Sequence, residues 1–189
     1  MKSDSKGNTT YLDNMKTLFV VDCSGSILLN NFFFSKLKEL KKKYYKGERG
    51  DKFFIWNENY YYKNESEIDE FIENKMGFGG SNISLITEIG KETKNEKFEH
   101  LIIFTDGSVD ASEIDICDRK VVEYNLKYSF VSTYIIGNGG NRAVGVPFSR
   151  NYPSATYFID NNGNEEKLAT LSQKEINILS EYSLNKMLE

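Results

Sequence analysis

Runs of continuous apolar residues recur along the chain, and each closes on an acid, an asparagine or a glycine. The first is Thr17-Leu-Phe-Val-Val-Asp22. A strand covered on both faces has no wet side, so it shows no alternation; such a run reads as a strand of a parallel sheet. The same pattern predicts strands over residues 51–57, 99–105, 127–136 and 155–159, with residues 60–63 as a short antiparallel edge strand. Between these runs the period changes. Ile27, Leu28, Phe32, Phe33, Leu37, Leu40 and Tyr44 form one broad stripe, which predicts a helix over residues 27–46, ended by Gly47-Glu-Arg-Gly50. Further helices are predicted over residues 66–73, with Ser66 as N-cap, over 82–94 and over 112–124. From Glu165 onward, Ile176, Ile178, Leu179, Leu184 and Leu188 suggest a largely helical end. The first fifteen residues are polar and aperiodic and are expected to be a flexible tail, leaving residues 16–189 as a single domain.

Strands alternating with helices imply an α/β fold. The expected architecture is three-layer and Rossmann-like: a mostly parallel central sheet, one short antiparallel edge strand, and helices on both faces. In such sheets ligands bind beyond the C-terminal ends of the strands, so polar residues closing apolar strands are the place to look for chemistry.

Composition narrows the field. A chain of 189 residues with a formal net charge of -4 argues against nucleic acid as a main ligand, because neutralising phosphates needs clustered Lys and Arg. The basic run from Lys36 to Lys46 alternates with apolar residues at helical spacing and reads as the wet face of a helix. No apolar run approaches the roughly 20 residues of a membrane span, so no membrane insertion is expected. The N-terminus has no apolar leader, and a full-length chain is expected to be cytoplasmic. Cys23 and Cys117 are too few for a disulfide framework or a zinc site and read as small core residues. His100, the only histidine, is read as structural.

Three segments at predicted strand ends carry oxygen donors. Asp22-Cys-Ser24-Gly-Ser26 opens the first helix, Gly79-Gly-Ser81-Asn82 opens another, and Asp106-Gly107 follows the most hydrophobic strand. Asp22 and Asp106 bring carboxylates; Ser24, Ser26 and Ser81 bring hydroxyls. These are hard ligands, suited to Mg²⁺ (or Mn²⁺ or Ca²⁺) and poorly suited to zinc or copper. With two carboxylates, a filled site keeps little net charge and welcomes an outside carboxylate. Gly25 permits a tight turn between the serines, and Gly79 and Gly80 permit close backbone approach. Taken singly, each serine reads as a helix cap and Asp106-Gly107 as a turn; together, at converging strand ends, they read as a metal site.

The pattern resembles the metal-ion-dependent adhesion site of von Willebrand factor A (vWA) domains, over roughly residues 16–160. Asp22, Ser24 and Ser26 match the first loop of that site, Asp106 matches the acid of the third, and Ser81 stands where the family usually has threonine. The resemblance implies a divalent cation completed by an acidic side chain of a partner protein, and no catalysis. Arg142 and Arg150, in a long segment after the strand at 127–136, are candidates to meet an acidic partner. Two alternatives stay open at this point: a Mg²⁺-dependent phosphate-ester hydrolase, and a metal-free scaffold of the same fold. Gly137-Asn-Gly-Gly140 is a weak match to a dinucleotide loop, arriving late with no clear helix behind it.

Overall fold

The computed structural model describes residues 9–171, with side chains described from Tyr11 to Leu168. Seven strands form one sheet in the order β3-β2-β1-β4-β5-β6-β7. The five inner strands, β1 (Thr17–Asp22), β2 (Lys52–Trp56), β4 (His100–Thr105), β5 (Phe130–Ile136) and β6 (Ser154–Ile159), are parallel to their inner neighbours. β3 (Tyr60–Lys63) is antiparallel at one edge, as its position after β2 predicts. The mostly parallel sheet with helices on both faces is therefore the architecture expected from the apolar runs.

Alternation along each inner strand builds two cores. Leu18, Val20, Leu101 and Ile103 face one side and pack with Ile86 and Ile89 of α4 (Leu85–Glu92), Ile114 of α5 (Ala111–Glu123) and Phe148 of α6 (Val146–Ser149). Phe19, Val21, Ile102 and Phe104 face the other side and pack with Phe34 and Leu37 of α2 (Phe33–Tyr44) and with Ile68 and Phe71 of α3 (Glu65–Glu73). Each large apolar side chain so buried stabilises the fold by about 1.5–3 kcal/mol. Cys23 and Cys117 are buried free thiols, as their apolar surroundings suggest.

The structure differs from the sequence reading at several termini. The helix expected over residues 27–46 is broken. A 3₁₀ turn (Gly25–Leu29) is followed by extended Asn30, whose Oδ1 accepts the Phe32 N–H at 2.9 Å, and α2 starts only at Phe33. That side-chain bond competes with a helical one and resets the chain direction. Helix α3 is capped by Asn64 rather than Ser66, in a reciprocal capping box with Glu67. Residues 9–15, assigned to the tail, include a helical turn, α1 (Thr9–Leu12), and buried Met15. Residues 165–171 are not helical. They form β7 (Glu165–Leu171), antiparallel to β6, so the sheet ends on an antiparallel strand at both edges. The cause is the hairpin turn. Asp160 Oδ1 accepts the N–H groups of Asn162 and Asn164 at 2.8 and 2.9 Å and folds the chain straight back. Ile176, Ile178, Leu179, Leu184 and Leu188 lie outside the described residues.

Strand order fixes where a site can form. From β1 the chain moves outward to β2 on one side, and from β4 outward to β5 on the other. The loops after β1 and β4 diverge, leaving a crevice at the C-terminal ends of this central pair.

Candidate functional site

Parallel pairing of β1 with β4 delivers Asp22 and Thr105 to the same edge of the sheet. The Thr105 hydroxyl donates to Asp22 Oδ2 at 2.6 Å and accepts the Gly107 N–H at 3.0 Å. The Ser24 N–H donates to Asp22 Oδ1 at 2.8 Å. Asp22 is fully buried. Burial pushes its carboxyl up from 3.8 to about 6; the bonds from Thr105 and Ser24 pull it down, and the charge of Asp106 adds to the rise. Among the described residues no lysine, arginine or histidine pairs with Asp22 or Asp106.

The turn through Gly25 places the Ser24 and Ser26 hydroxyl oxygens 3.1 Å apart. The glycine loop is pinned alongside: the Phe78 N–H donates to the Cys23 carbonyl at 2.8 Å, and the Gly25 N–H to the Gly79 carbonyl at 3.0 Å. Asp106 Oδ1 accepts the Ser108 N–H at 2.9 Å. Gly107 has a positive φ of 75°, and a Cβ there would stand 2.9 Å from the Gly140 Cα. Only a bare backbone lets the Asp106 loop and the loop after β5 touch in this way.

Four of the five candidate ligands are thus drawn together. Ser24 and Ser26 meet by their hydroxyls, Asp22 feels the charge of Asp106, and Ser26 and Asp106 line the same cavity. Ser81 reaches the third loop, but its hydroxyl donates to the Ser108 carbonyl at 2.6 Å, and it lines a different cavity with Gly107 and Asn141. Among the described residues no group of three or more His, Cys, Asp and Glu is arranged around a common point. The candidate set holds only two carboxylates and is otherwise hydroxylic. Such an all-oxygen set, with one carboxylate buried and without a cationic neighbour, fits a hard divalent cation.

Arg142 and Arg150 point elsewhere. The Arg142 guanidinium lies 4.0 Å over the Phe158 ring and 3.3 Å from Glu166; Arg150 pairs with Asp118 at 2.8 Å. Their segment is not a bare loop, since it winds through a 3₁₀ turn (Arg142–Gly145) and α6.

Sequence reasoning missed five residues at or beside the site. Thr105 orients Asp22; its signal is a hydroxyl closing a buried strand directly before the acid. Asn57, buried, donates to the Phe78 carbonyl at 3.1 Å and so holds the glycine loop. Asn30, Asn138 and Asn161 gather beside the site.

Among solved structures, the same architecture occurs in a protein described as von Willebrand factor type A from Catenulispora acidiphila. The superposition has a TM-score of 0.53 at 13% identity, over 76% of this chain and 38% of that one. The chain has a vWA-like fold. No family model matches its sequence, and no curated protein matches it. The vWA-like likeness therefore rests on architecture, and the chain spans well under half the length of that neighbour.

Proposed function

We propose that the chain is a divalent-cation-dependent protein-binding module. Asp22, Ser24, Ser26 and Asp106 would hold one Mg²⁺, with Mn²⁺ or Ca²⁺ meeting the same oxygen chemistry; Ser81 would join once its hydroxyl turns from the Ser108 carbonyl. When bound, such a cation supplies an electrophilic centre with room for an acidic side chain of a partner. The observation that carries the reading is Asp22 itself, a buried carboxylate at a strand end, held by a hydroxyl and a backbone N–H, with the charge of Asp106 nearby and no cationic partner among the described residues. Thr105 fixes the direction of the Asp22 carboxylate, and the Gly25 turn presents both serine hydroxyls.

A protein partner is favoured over a small ligand by the rim. Leu28, Leu29, Met76 and Phe78 are 49%, 89%, 43% and 46% exposed on the two loops that carry or flank the site. Exposed apolar side chains grouped around a polar centre mark interaction surfaces. Binding is favoured over phosphate-ester hydrolysis by the chemistry at hand. The residue two places after Asp22 is Ser24, not a second acid. The one histidine, His100, lies at the start of β4, at the far end of the sheet, and Lys120 is engaged by Glu88 at 2.8 Å. A metal-free scaffold is the remaining reading, and one experiment separates it.

Mn²⁺ binding followed by electron paramagnetic resonance is expected to show one site in the unaltered chain and none in Asp22→Ala or Asp106→Ala. Partner capture from an extract is expected to vanish with chelator and return with Mg²⁺. An unaltered chain that takes up no Mn²⁺ at millimolar concentration would rule the mechanism out.

A further inference from the structure

At the other end of the sheet, between the α4–β4 and α5–β5 connections, lies a cleft of about 610 Å³. It shares no lining residue with the crevice at Ser26 and Asp106. Its base is apolar, made by the buried side chains of Phe98 and Leu126. Gly90, inside α4, gives them room: a Cβ there would stand 2.8 Å from Leu126 Cδ1 and 2.7 Å from Tyr128 Oη. Tyr128 is half-buried in the same wall, with its ring against Tyr152 at 5.5 Å. Its hydroxyl has no hydrogen-bond partner among the described residues.

Three lysines, Lys94, Lys97 and Lys127, line this cleft, against one acid, Glu99. They leave a local excess of positive charge in a chain whose formal net charge is -4. None of the three forms an ion pair among the described residues. Lys94 Nζ donates to the Tyr124 carbonyl at 3.2 Å, and Glu99 Oε2 is occupied by the Lys16 N–H at 3.2 Å. Lys97 holds a left-handed φ of 56°, a backbone position where glycine is the easier residue. The turn carries a cation there instead. Neutral groups of the wall, such as the Asn95 and Asn125 amides, both donate and accept, so they select nothing. Formal charge and the apolar base do the selecting.

We infer that this cleft is a second binding site, independent of the metal crevice, for a small amphipathic anion: an apolar body of one or two rings bearing a carboxylate. The body lies on Phe98 and Leu126, the carboxylate meets the lysines, and the Tyr128 hydroxyl supplies a directed donor. The volume falls within the roughly 300–1,000 Å³ typical of small-molecule sites. A cleft confined between two short connections suits such a molecule better than a protein face, which covers on the order of 800 Å² per partner.

The test uses the metal-free chain, so that no carboxylate is drawn to a cation, titrated with four probes and read by calorimetry and amide chemical shifts. 2-Naphthoate carries both body and charge. 2-Naphthamide keeps the body without the charge, 2-naphthylmethylammonium reverses the charge, and acetate lacks the body. Naphthoate is expected to bind about tenfold more tightly than naphthamide, the size of two or three exposed charge contacts acting together. The ammonium and acetate are expected to bind more weakly still, and the shifts to centre on Phe98, Leu126 and Tyr128. The double variant Lys97→Gln/Lys127→Gln, altered at exposed positions, is expected to lose most of the preference for naphthoate over naphthamide while keeping its melting temperature. Naphthoate and naphthamide binding alike, shifts centred elsewhere, a preference unchanged in the double variant, or no binding of naphthoate at millimolar concentration overturns the proposal.

Discussion

Asp51 and Asp22 stand at opposite ends of two paired strands, both buried, and their surroundings differ in one respect. Asp51, at the start of β2, is saturated. Its Oδ1 accepts the Thr17 N–H at 2.8 Å and Arg49 Nε at 2.9 Å, its Oδ2 accepts the Lys46 N–H at 2.8 Å, and Arg49 also closes an ion pair on Oδ2. Asp22, at the end of β1, has a hydroxyl, a backbone N–H and another carboxylate for company, and no cation. A buried charge is tolerated when it is both paired and hydrogen-bonded. By that standard the N-terminal end of the sheet is finished structure, whereas the C-terminal end holds a buried carboxylate with no cationic partner among the described residues.

The sharpest way to break this contrast is to make Asp51 resemble Asp22. Arg49→Met removes the cation and leaves a buried carboxylate alone. It is expected to destabilise the chain by about 3–5 kcal/mol in urea unfolding, with or without Mg²⁺. A loss below about 1 kcal/mol would mean that the Arg49 pair is ornamental and the contrast empty.

The converse change is Asp22→Asn in the metal-free chain. The Asp22 carboxyl sits at about 6 when folded, against 3.8 ordinarily. A raised value means the folded chain holds the proton more tightly. The associated stability is complete below 3.8 and is lost as pH rises through 6. At pH 7.5 the charged form therefore weighs on the fold, by up to about 3 kcal/mol. Asn lacks that charge, so the variant is expected to melt higher than the unaltered chain at pH 7.5 and to lose the advantage toward pH 4. Added Mn²⁺ reverses the ranking. At a thousand times its dissociation constant it stabilises the unaltered chain by about 4.1 kcal/mol and the variant not at all. A variant that melts lower without metal would place Asp22 among purely structural carboxylates.

Much of this is legible in the sequence, and the boundary has a physical basis. Continuous apolar runs and their polar ends specify the inner strands, because only a strand covered on both faces tolerates Leu-Phe-Val-Val. The order of those runs then carries Asp22, Ser24, Ser26 and Asp106 to one crevice. What stays hidden depends on single side-chain bonds. Asn30 breaks a helix that its neighbours' periodicity supports, and Asp160 turns the chain into β7 where a helix is expected. The direction of the Ser81 hydroxyl and the tethering of Arg142 to Phe158 and Glu166 follow from packing between segments distant in sequence. Thr105 is visible as the residue before Asp106, but its role appears only once β1 is known to lie beside β4.

The smallest expected effect sharpens the comparison with opposite signs. His100, buried at the start of β4, bonds Ser132 Oγ at 2.9 Å through Nε2, and its Nδ1 has no partner. Burial, and then the charge of Arg49, pull it down from 6.5 to about 3. A lowered value means the folded chain refuses the proton; the associated stability is complete above 6.5 and is lost as pH falls toward 3. Between pH 7 and 4.5 that loss is about 2–3 kcal/mol, while protonation of Asp22 returns about 2 kcal/mol over the same interval. The metal-free chain should thus show a shallow acid profile, because its two ends titrate against each other. Asp22→Asn is expected to steepen the loss, His100→Gln to turn it into a gain, and the double variant to lie nearly flat. Urea midpoints at pH 7, 6, 5 and 4.5 measure all four profiles. Parallel profiles in the four chains would show that neither end of the sheet carries a buried group titrating in this range, and the distinction between a finished and an incomplete end would lose its electrostatic basis.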